Sequence, residues 1–162
     1  MSMKKLLFTC GAIVTFFAAN LLAQPAYKAG EIEITHPWTW NTPPGAKVAG
    51  AFFTMKAGKT ADKLLSAESP IAGKTEIHTH ANDNGVMRMR AISHIEIGAG
   101  RSVELKPGSF HIMFFDLKRQ LANGDKFPVT LVFEKAGKMQ IDVSVEDRSA
   151  GHSGHSHAGH KH

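Results

Sequence analysis

Residues 74–92 read KTEIHTHANDNGVMRMRAI, with two segments of alternating side chains on either side of the tetrapeptide NDNG at 82–85. An Asn- and Gly-rich turn flanked by such alternation is typical of a β-hairpin. We therefore predict antiparallel strands over 74–80 and 86–92. Successive side chains along a strand point to opposite faces, so the hairpin carries its histidines and methionines in face-sharing pairs.

The register of this hairpin has two solutions. If residues 82–85 form a four-residue loop, His78 lies directly opposite Met89. If Asn84 and Gly85 alone form a two-residue turn, His80 lies opposite Met89 instead. Both solutions predict a His/Met pair, and the sequence leaves open which histidine is involved.

Further short strands are predicted outward from the hairpin in both directions. They cover 31–40, 48–56, 63–69, 94–97, 102–105, 110–117, 127–134 and 139–145, separated by segments that contain Pro, Gly or Asn. No segment shows a long amphipathic helical pattern, although a single helical turn over 118–123 is compatible with the sequence. Short strands at such regular spacing predict one all-β domain, an antiparallel sandwich or barrel, over residues 24–147.

The first 23 residues are predicted to be a secretory signal peptide. Lys4 and Lys5 precede an apolar run over 6–22, and small residues near Ala23 offer a cleavage site. An uncleaved membrane anchor is the alternative, although the run is short for a bilayer span. A lipoprotein signal through Cys10 is less favoured, because little apolar sequence precedes that cysteine.

Removal of this segment would take away Cys10, the single cysteine. The mature protein would then have no disulfide and no thiolate ligand, which excludes a blue-copper electron-transfer site. The chain has 19 Lys and Arg against 14 Asp and Glu. These basic residues are scattered rather than arranged in a stripe, so we expect no nucleic-acid partner.

Four candidate metal ligands lie in and after the hairpin. Ten residues separate His78 from Met89, twenty-one separate Met89 from His111, and Met113 follows two positions after His111. Imidazole and thioether donors together suit Cu(I). The alternative is structural, since Met87 and Met89 alternate with arginines, and such a pattern more often places methionine in a core.

The spacing and its surroundings resemble the PCu(A)C family of periplasmic copper chaperones. Besides the four ligand positions, the likeness includes the segment GVMRMR at 85–90 and the segment VELKPGSFHIM at 103–113. It extends over most of residues 28–147. Two differences are visible: Thr79-His80 follows the first histidine, which makes His80 an auxiliary ligand candidate, and Ser109 replaces a usual glycine.

The resemblance implies a cupredoxin-like Greek-key β-sandwich that binds one Cu(I) through His78, Met89, His111 and Met113. It further implies a periplasmic, monomeric copper carrier rather than an enzyme. The expected client is the CuA centre of cytochrome c oxidase subunit II, with a Sco-type thiol protein as a second partner.

The last eleven residues contain five histidines among Gly, Ser, Ala and Lys: His152, His155, His157, His160 and His162. This composition predicts a disordered tail over 148–162 that binds a borderline metal through imidazole, with Cu(II) favoured. An expression tag is the alternative, although tags usually run their histidines together. We expect the tail to capture Cu(II) and the sandwich to hold Cu(I).

Two other function classes are alternatives to a copper carrier. A buffering or resistance protein would sequester copper without a dedicated client, and the tail favours that alternative. A copper oxidoreductase would need an open coordination position and a substrate pocket, and no acid/base residue is clearly placed for such chemistry. No nucleophile-elbow motif supports Ser/His/Asp hydrolysis. The residues Trp38, Trp40 and Phe115 are predicted either as core or as a docking patch.

Overall fold

The computed structural model describes residues 26–148. The predictions of a signal peptide over 1–23 and of metal-binding histidines at 152–162 concern residues outside this range. Residues 26–148 form no helix. This part of the chain accordingly has no helix with the length and apolar character needed to cross a bilayer.

Strands make up most of the described chain, and their bounds are as follows. They are β1 (Tyr27–Ala29), β2 (Ile32–Trp40), β3 (Val48–Ala57), β4 (Asp62–Glu68), β5 (Lys74–Asp83), β6 (Val86–Ala91), β7 (Ile95–Ile97), β8 (Ser102–Leu105), β9 (His111–Phe115), β10 (Lys126–Phe133) and β11 (Gly137–Glu146). The predicted all-β sandwich is confirmed. Strand β1 was not among the predicted strands.

The strands follow one another in the order β6-β5-β9-β3-β2-β11-β10-β4-β7, with β1 beside β2 and β8 beside β3. All pairings are antiparallel except that of β11 with β2, where Ser144 pairs with Trp38. This parallel pairing brings the end of the last strand beside the end of β2. The described chain therefore ends next to Trp40.

The apolar core lies on one face of β9 and its neighbours. Ile112 and Phe114 are fully buried in it, and Ile77 of β5 packs with them. The alternate residues of β9, which are His111, Met113 and Phe115, point to the opposite face. The alternation of side chains along β9 thus places Ile112 and Phe114 in the core and leaves His111, Met113 and Phe115 on the outer face.

The β5–β6 hairpin closes with a two-residue turn. Asn84 and Gly85 have φ angles of 51° and 88°, and two consecutive positive φ values are what a type I′ turn requires. The amide of Gly85 also donates to Asn82 Oδ1 at 2.7 Å. Strand β5 therefore runs to Asp83 instead of ending at His80, and the register that paired His78 with Met89 is wrong. His80 is the residue opposite Met89.

Candidate metal centre

Strands β5 and β9 place two of the candidate ligands directly across from each other. His78 pairs with His111 in the antiparallel register, and their ring centroids are 5.8 Å apart. Both side chains point to the outer face, away from Ile77 and Ile112. Two imidazoles at adjacent positions on rigid strands form the centre of the candidate site.

The orientation of His111 is fixed by a backbone hydrogen bond. Its Nδ1 donates to the carbonyl oxygen of Ser109 at 2.9 Å, so the neutral ring keeps its acceptor lone pair on Nε2. The ring is only 3% exposed. Burial lowers the pKa of His111, and the neighbouring His80 and His78 lower it further, against the opposing effect of Ser109. His111 is therefore neutral at pH 7, the form that binds metal.

His78 is oriented by a carboxylate. Its Nε2 lies 2.8 Å from Glu76 Oε2, and this contact, followed by that of Lys74, lowers the pKa of Glu76. With Nε2–H donating to the carboxylate, Nδ1 carries the lone pair. That Nδ1 atom is buried and has no hydrogen-bond partner. Buried nitrogen acceptors are rarely left unsatisfied, and a metal ion bound at Nδ1 would satisfy this one.

Met113 shares the outer face of β9 with His111. It pairs with Gly50 on one side and Glu76 on the other. Its Sδ lies 3.8 Å from the position a Cβ would take on Gly50. The thioether of Met113 therefore lies within van der Waals reach of β3 at this point.

Met89 lies on the edge strand β6 and is 53% exposed. It lines the same cleft as Met113, together with Trp40, Val48 and Gly50. We call this space, between β2, β3 and the hairpin, the methionine cleft. The structure therefore brings the four candidate residues to one face: the histidines pair across strands, Met113 follows His111, and the two methionines share a cleft.

The donor set depends on these thioethers. Within residues 26–148, no three side chains of the His, Cys, Asp and Glu types are gathered to hold a metal ion. A mixed imidazole–thioether set instead matches the preference of a soft ion.

His80, the auxiliary candidate, lies near this centre. Its ring centroid is 5.2 Å from that of His111, and its Nδ1 is a long 3.4 Å from the Ser109 carbonyl oxygen. Ser109 thus faces two histidines through a single oxygen. The contact to His80 is the weaker of the two, so this ring is the less firmly held.

An aromatic cluster borders the histidines. Phe52 is buried 6.4 Å from the His111 ring, and Trp38 and Trp40 pack around Phe52 at 4.8 and 5.4 Å between centroids. Both tryptophans are half-buried on the outer face, outside the main core. The prediction of plain core positions for Trp38 and Trp40 is therefore wrong. Phe115 is also half-buried on this face, 5.8 Å from the His78 ring.

Glu76 was missed as a functional residue by sequence reasoning. The available signal was its position two residues before His78, which puts both on one face of β5. The pairing of His78 with His111 was likewise beyond the sequence, because the contact between β5 and β9 depends on the order of strands in the sheet.

Comparison with known proteins places the chain in a family. The family model "LpqE-like", described as "Putative lipoprotein LpqE-like", matches residues 32–145. The chain belongs to the LpqE-like family. It is 30% identical to "Uncharacterized protein RP573" of Rickettsia prowazekii over 70% of this chain and 66% of that protein. It is 31% identical to "Putative lipoprotein Lxx21020" of Leifsonia xyli over 77% of this chain and 75% of that protein.

Solved structures extend this LpqE-like assignment. The apo PCuAC domain from PmoF1 is 27% identical, covers 76% of this chain and 99% of that domain, and superimposes with a TM-score of 0.66. The copper-bound PCuAC domain from PmoF2 is 26% identical, with the same coverage and TM-score. DR1885 from Deinococcus radiodurans shares the fold, with a TM-score of 0.58. It is 22% identical and covers 80% of this chain and 84% of its own chain. The resemblance to the PCu(A)C family is confirmed.

Proposed function

We propose that this LpqE-like protein is an exported copper carrier that binds Cu(I) through His78, Met89, His111 and Met113. The observation that carries the proposal is the buried, unpartnered Nδ1 of His78, on a ring whose centroid lies 5.8 Å from that of His111. The copper-bound domain of PmoF2 and the copper(I) form of DR1885 support copper as the ion. The thioethers of Met89 and Met113 favour its reduced state.

The test is a Cu(I) competition titration of the full chain against a chromophoric chelator. We expect one tight equivalent in the parent and at least tenfold weaker binding in Met113→Ala, since a soft ligand is lost. Met87→Ala is the control, because Met87 is an exposed thioether on β6 that does not line the methionine cleft. Equal affinity in parent and Met113→Ala would refute the site.

The client proposed for this copper is the CuA centre of cytochrome c oxidase subunit II, with a Sco-type thiol protein acting alongside. Met89 is more than half exposed, so an acceptor can reach the ion from the hairpin side. Thiolates are softer and stronger Cu(I) ligands than thioethers, which makes transfer to a thiol-bearing acceptor favourable. Mixing the Cu(I)-loaded protein with an apo subunit II fragment, separating the two proteins and measuring the copper content of each would test delivery.

The tail is proposed to capture Cu(II) through His152, His155, His157, His160 and His162. If no copper reaches the oxidase fragment while the protein still binds copper tightly, the buffering role becomes the better description.

Export to the periplasm is proposed from the leader-like sequence at 1–23 and from the lipoprotein names in the family. N-terminal sequencing of the protein recovered from a periplasmic fraction would locate the cleavage.

A further inference from the structure

The methionines of residues 26–148 differ widely in their access to solvent. Met55 is completely buried and Met139 is 5% exposed, both in the core. Met113 is partly buried on the outer face. Met87 and Met89, on β6, are 57% and 53% exposed. A small solute in water therefore reaches the two sulfur atoms of β6 more readily than the other three.

The position of β6 in the sheet explains this exposure. The strand stands at one end of the strand order, and within the described residues it pairs only with β5. All six of its residues are exposed, including Val86 at 54%. The two thioethers are thus open to solvent in the folded protein, and a reagent reaches them without any opening of the sheet.

The two exposed methionines differ in their surroundings. Met89 pairs with His80 and lines the methionine cleft beside Met113, whereas Met87 pairs with Asn82 and does not line the cleft. Met89 is therefore a candidate copper ligand whose sulfur is directly accessible. A chemical change at that sulfur alters the candidate donor set, and the same change at Met87 leaves the set intact.

Peroxide oxidises a thioether in a balanced two-electron step. A sulfur lone pair attacks one oxygen of hydrogen peroxide, so that an S–O bond forms and the O–O bond breaks. The second oxygen leaves as water with both protons of the peroxide. The sulfur is oxidised and the peroxide is reduced. The product, methionine sulfoxide, is polar, and its oxygen is a hard donor that Cu(I) does not prefer.

We propose that Met89 is a site of reversible oxidation by peroxide, and that its sulfoxide prevents the empty protein from binding Cu(I) tightly. The inference rests on the proposed Cu(I) site and adds a means of controlling it. Bound copper occupies the sulfur lone pair that peroxide would need. The modification therefore falls on the empty protein, and reduction of the sulfoxide returns the ligand.

The first test maps the oxidation sites. Metal-free full-length protein is treated with a limiting amount of hydrogen peroxide and analysed by peptide mass spectrometry. We expect sulfoxide at Met87 and Met89 before it forms at the three less exposed methionines. Ag(I), added until the site is filled, replaces Cu(I) as a soft ion that does not react with the peroxide. It should protect Met89 and leave Met87 reactive; equal reactivity of the two in its presence would overturn the assignment.

The second test measures the consequence for copper. The variants Met87→Leu and Met89→Leu each keep one exposed thioether on β6. Oxidation of Met87→Leu before loading should weaken Cu(I) binding roughly tenfold, because a soft ligand is lost. The same treatment of Met89→Leu should change its affinity little. Methionine sulfoxide reductase, with its reductant removed afterwards, should restore the affinity of oxidised Met87→Leu. Equal responses of the two variants would overturn the inference.

The outcome is separable from failure of the site itself. If Met113→Ala binds Cu(I) weakly while oxidised Met87→Leu binds as its untreated form does, the Cu(I) site stands and control through Met89 does not. If Met113→Ala binds as tightly as the parent, the proposed site is refuted and the inference falls with it.

Discussion

At the scale of single residues, the hydrogen bonds of the two site histidines determine which nitrogen each offers. Glu76 holds His78 through Nε2, and the Ser109 carbonyl holds His111 through Nδ1. The two rings therefore keep different nitrogens available as acceptors, Nδ1 on His78 and Nε2 on His111. Such hydrogen-bonded partners fix the tautomer and orientation of a metal-binding imidazole.

Glu76→Gln should weaken Cu(I) binding on the order of tenfold, because a neutral amide holds the His78 ring less firmly than a carboxylate. The measurement is competition titration, combined with NMR of the His78 ring nitrogens to detect a change of tautomer. Glu104→Gln is the matched control, since Glu104 pairs with a lysine on the exposed side of β8. If Glu76→Gln and Glu104→Gln bind alike, Glu76 does not position His78.

His111 should make the metal-free protein less stable as the pH falls. Burial holds the pKa of His111 below its ordinary value of about 6.5. Below that pH the unfolded chain binds a proton that the folded chain does not. The free energy of unfolding therefore falls as the pH drops from about 6.5 to the folded-state pKa, and it levels off below that.

Urea unfolding of metal-free protein between pH 7 and pH 5 measures this effect. We expect a steeper loss of stability in the parent than in His111→Gln, which has no titrating ring. Parallel curves for the parent and His111→Gln would show that another group carries the dependence.

At single positions, some residues of the candidate site could be predicted from the sequence and others could not. The sequence indicated the four candidates His78, Met89, His111 and Met113. Their spacing along predicted strands and the donor chemistry of their side chains are both evident without a structure. Glu76 was not identified. Its importance comes from its hydrogen bond to a particular atom of His78, which depends on how β5 places the two side chains.

At the scale of elements, the hairpin turn decides which residue faces Met89. Asn84 and Gly85 both adopt positive φ angles, and the NDNG tetrapeptide is compatible with two loop lengths. The sequence therefore predicted the hairpin correctly and could not choose its register. The choice follows from the type I′ geometry and from the bond that Asn82 makes to Gly85.

Gly85→Ala should destabilise this turn by about 1 kcal/mol, because an L side chain disfavours its φ of 88°. Hydrogen exchange of the β5 and β6 amides should speed up, and Cu(I) binding should weaken as Met89 loses its fixed place. Asn84→Gly is the control, since glycine accepts the positive φ at that position. Unchanged exchange in Gly85→Ala would mean that contacts outside the turn hold the hairpin.

At the scale of the whole molecule, the core and the candidate site lie on opposite faces of the same strands. Leu131 is completely buried in the core. Leu131→Ala should lower the free energy of unfolding by about 2–5 kcal/mol through the cavity it leaves. The Cu(I) affinity of the folded protein should stay the same.

Met113→Ala should show the reverse, with lost copper binding and a smaller change in stability, because Met113 is only partly buried on the outer face. Urea unfolding and competition titration of both variants test this separation. Leu65→Ala, at a 40% exposed position, is the control for side-chain truncation. A large loss of Cu(I) affinity in folded Leu131→Ala would show that the site depends on the core more closely than we expect.

The parallel pairing of β11 with β2 governs when the chain can fold. Strand β11 is the last to be synthesised, yet it lies between β2 and β10 in the middle of the strand order. Until it emerges from the ribosome or a membrane channel, the edge of β2 beside Trp38 and Trp40 has no partner. Contacts so distant in sequence form slowly. The sheet of the described residues is therefore completed only when β11 pairs with both β2 and β10.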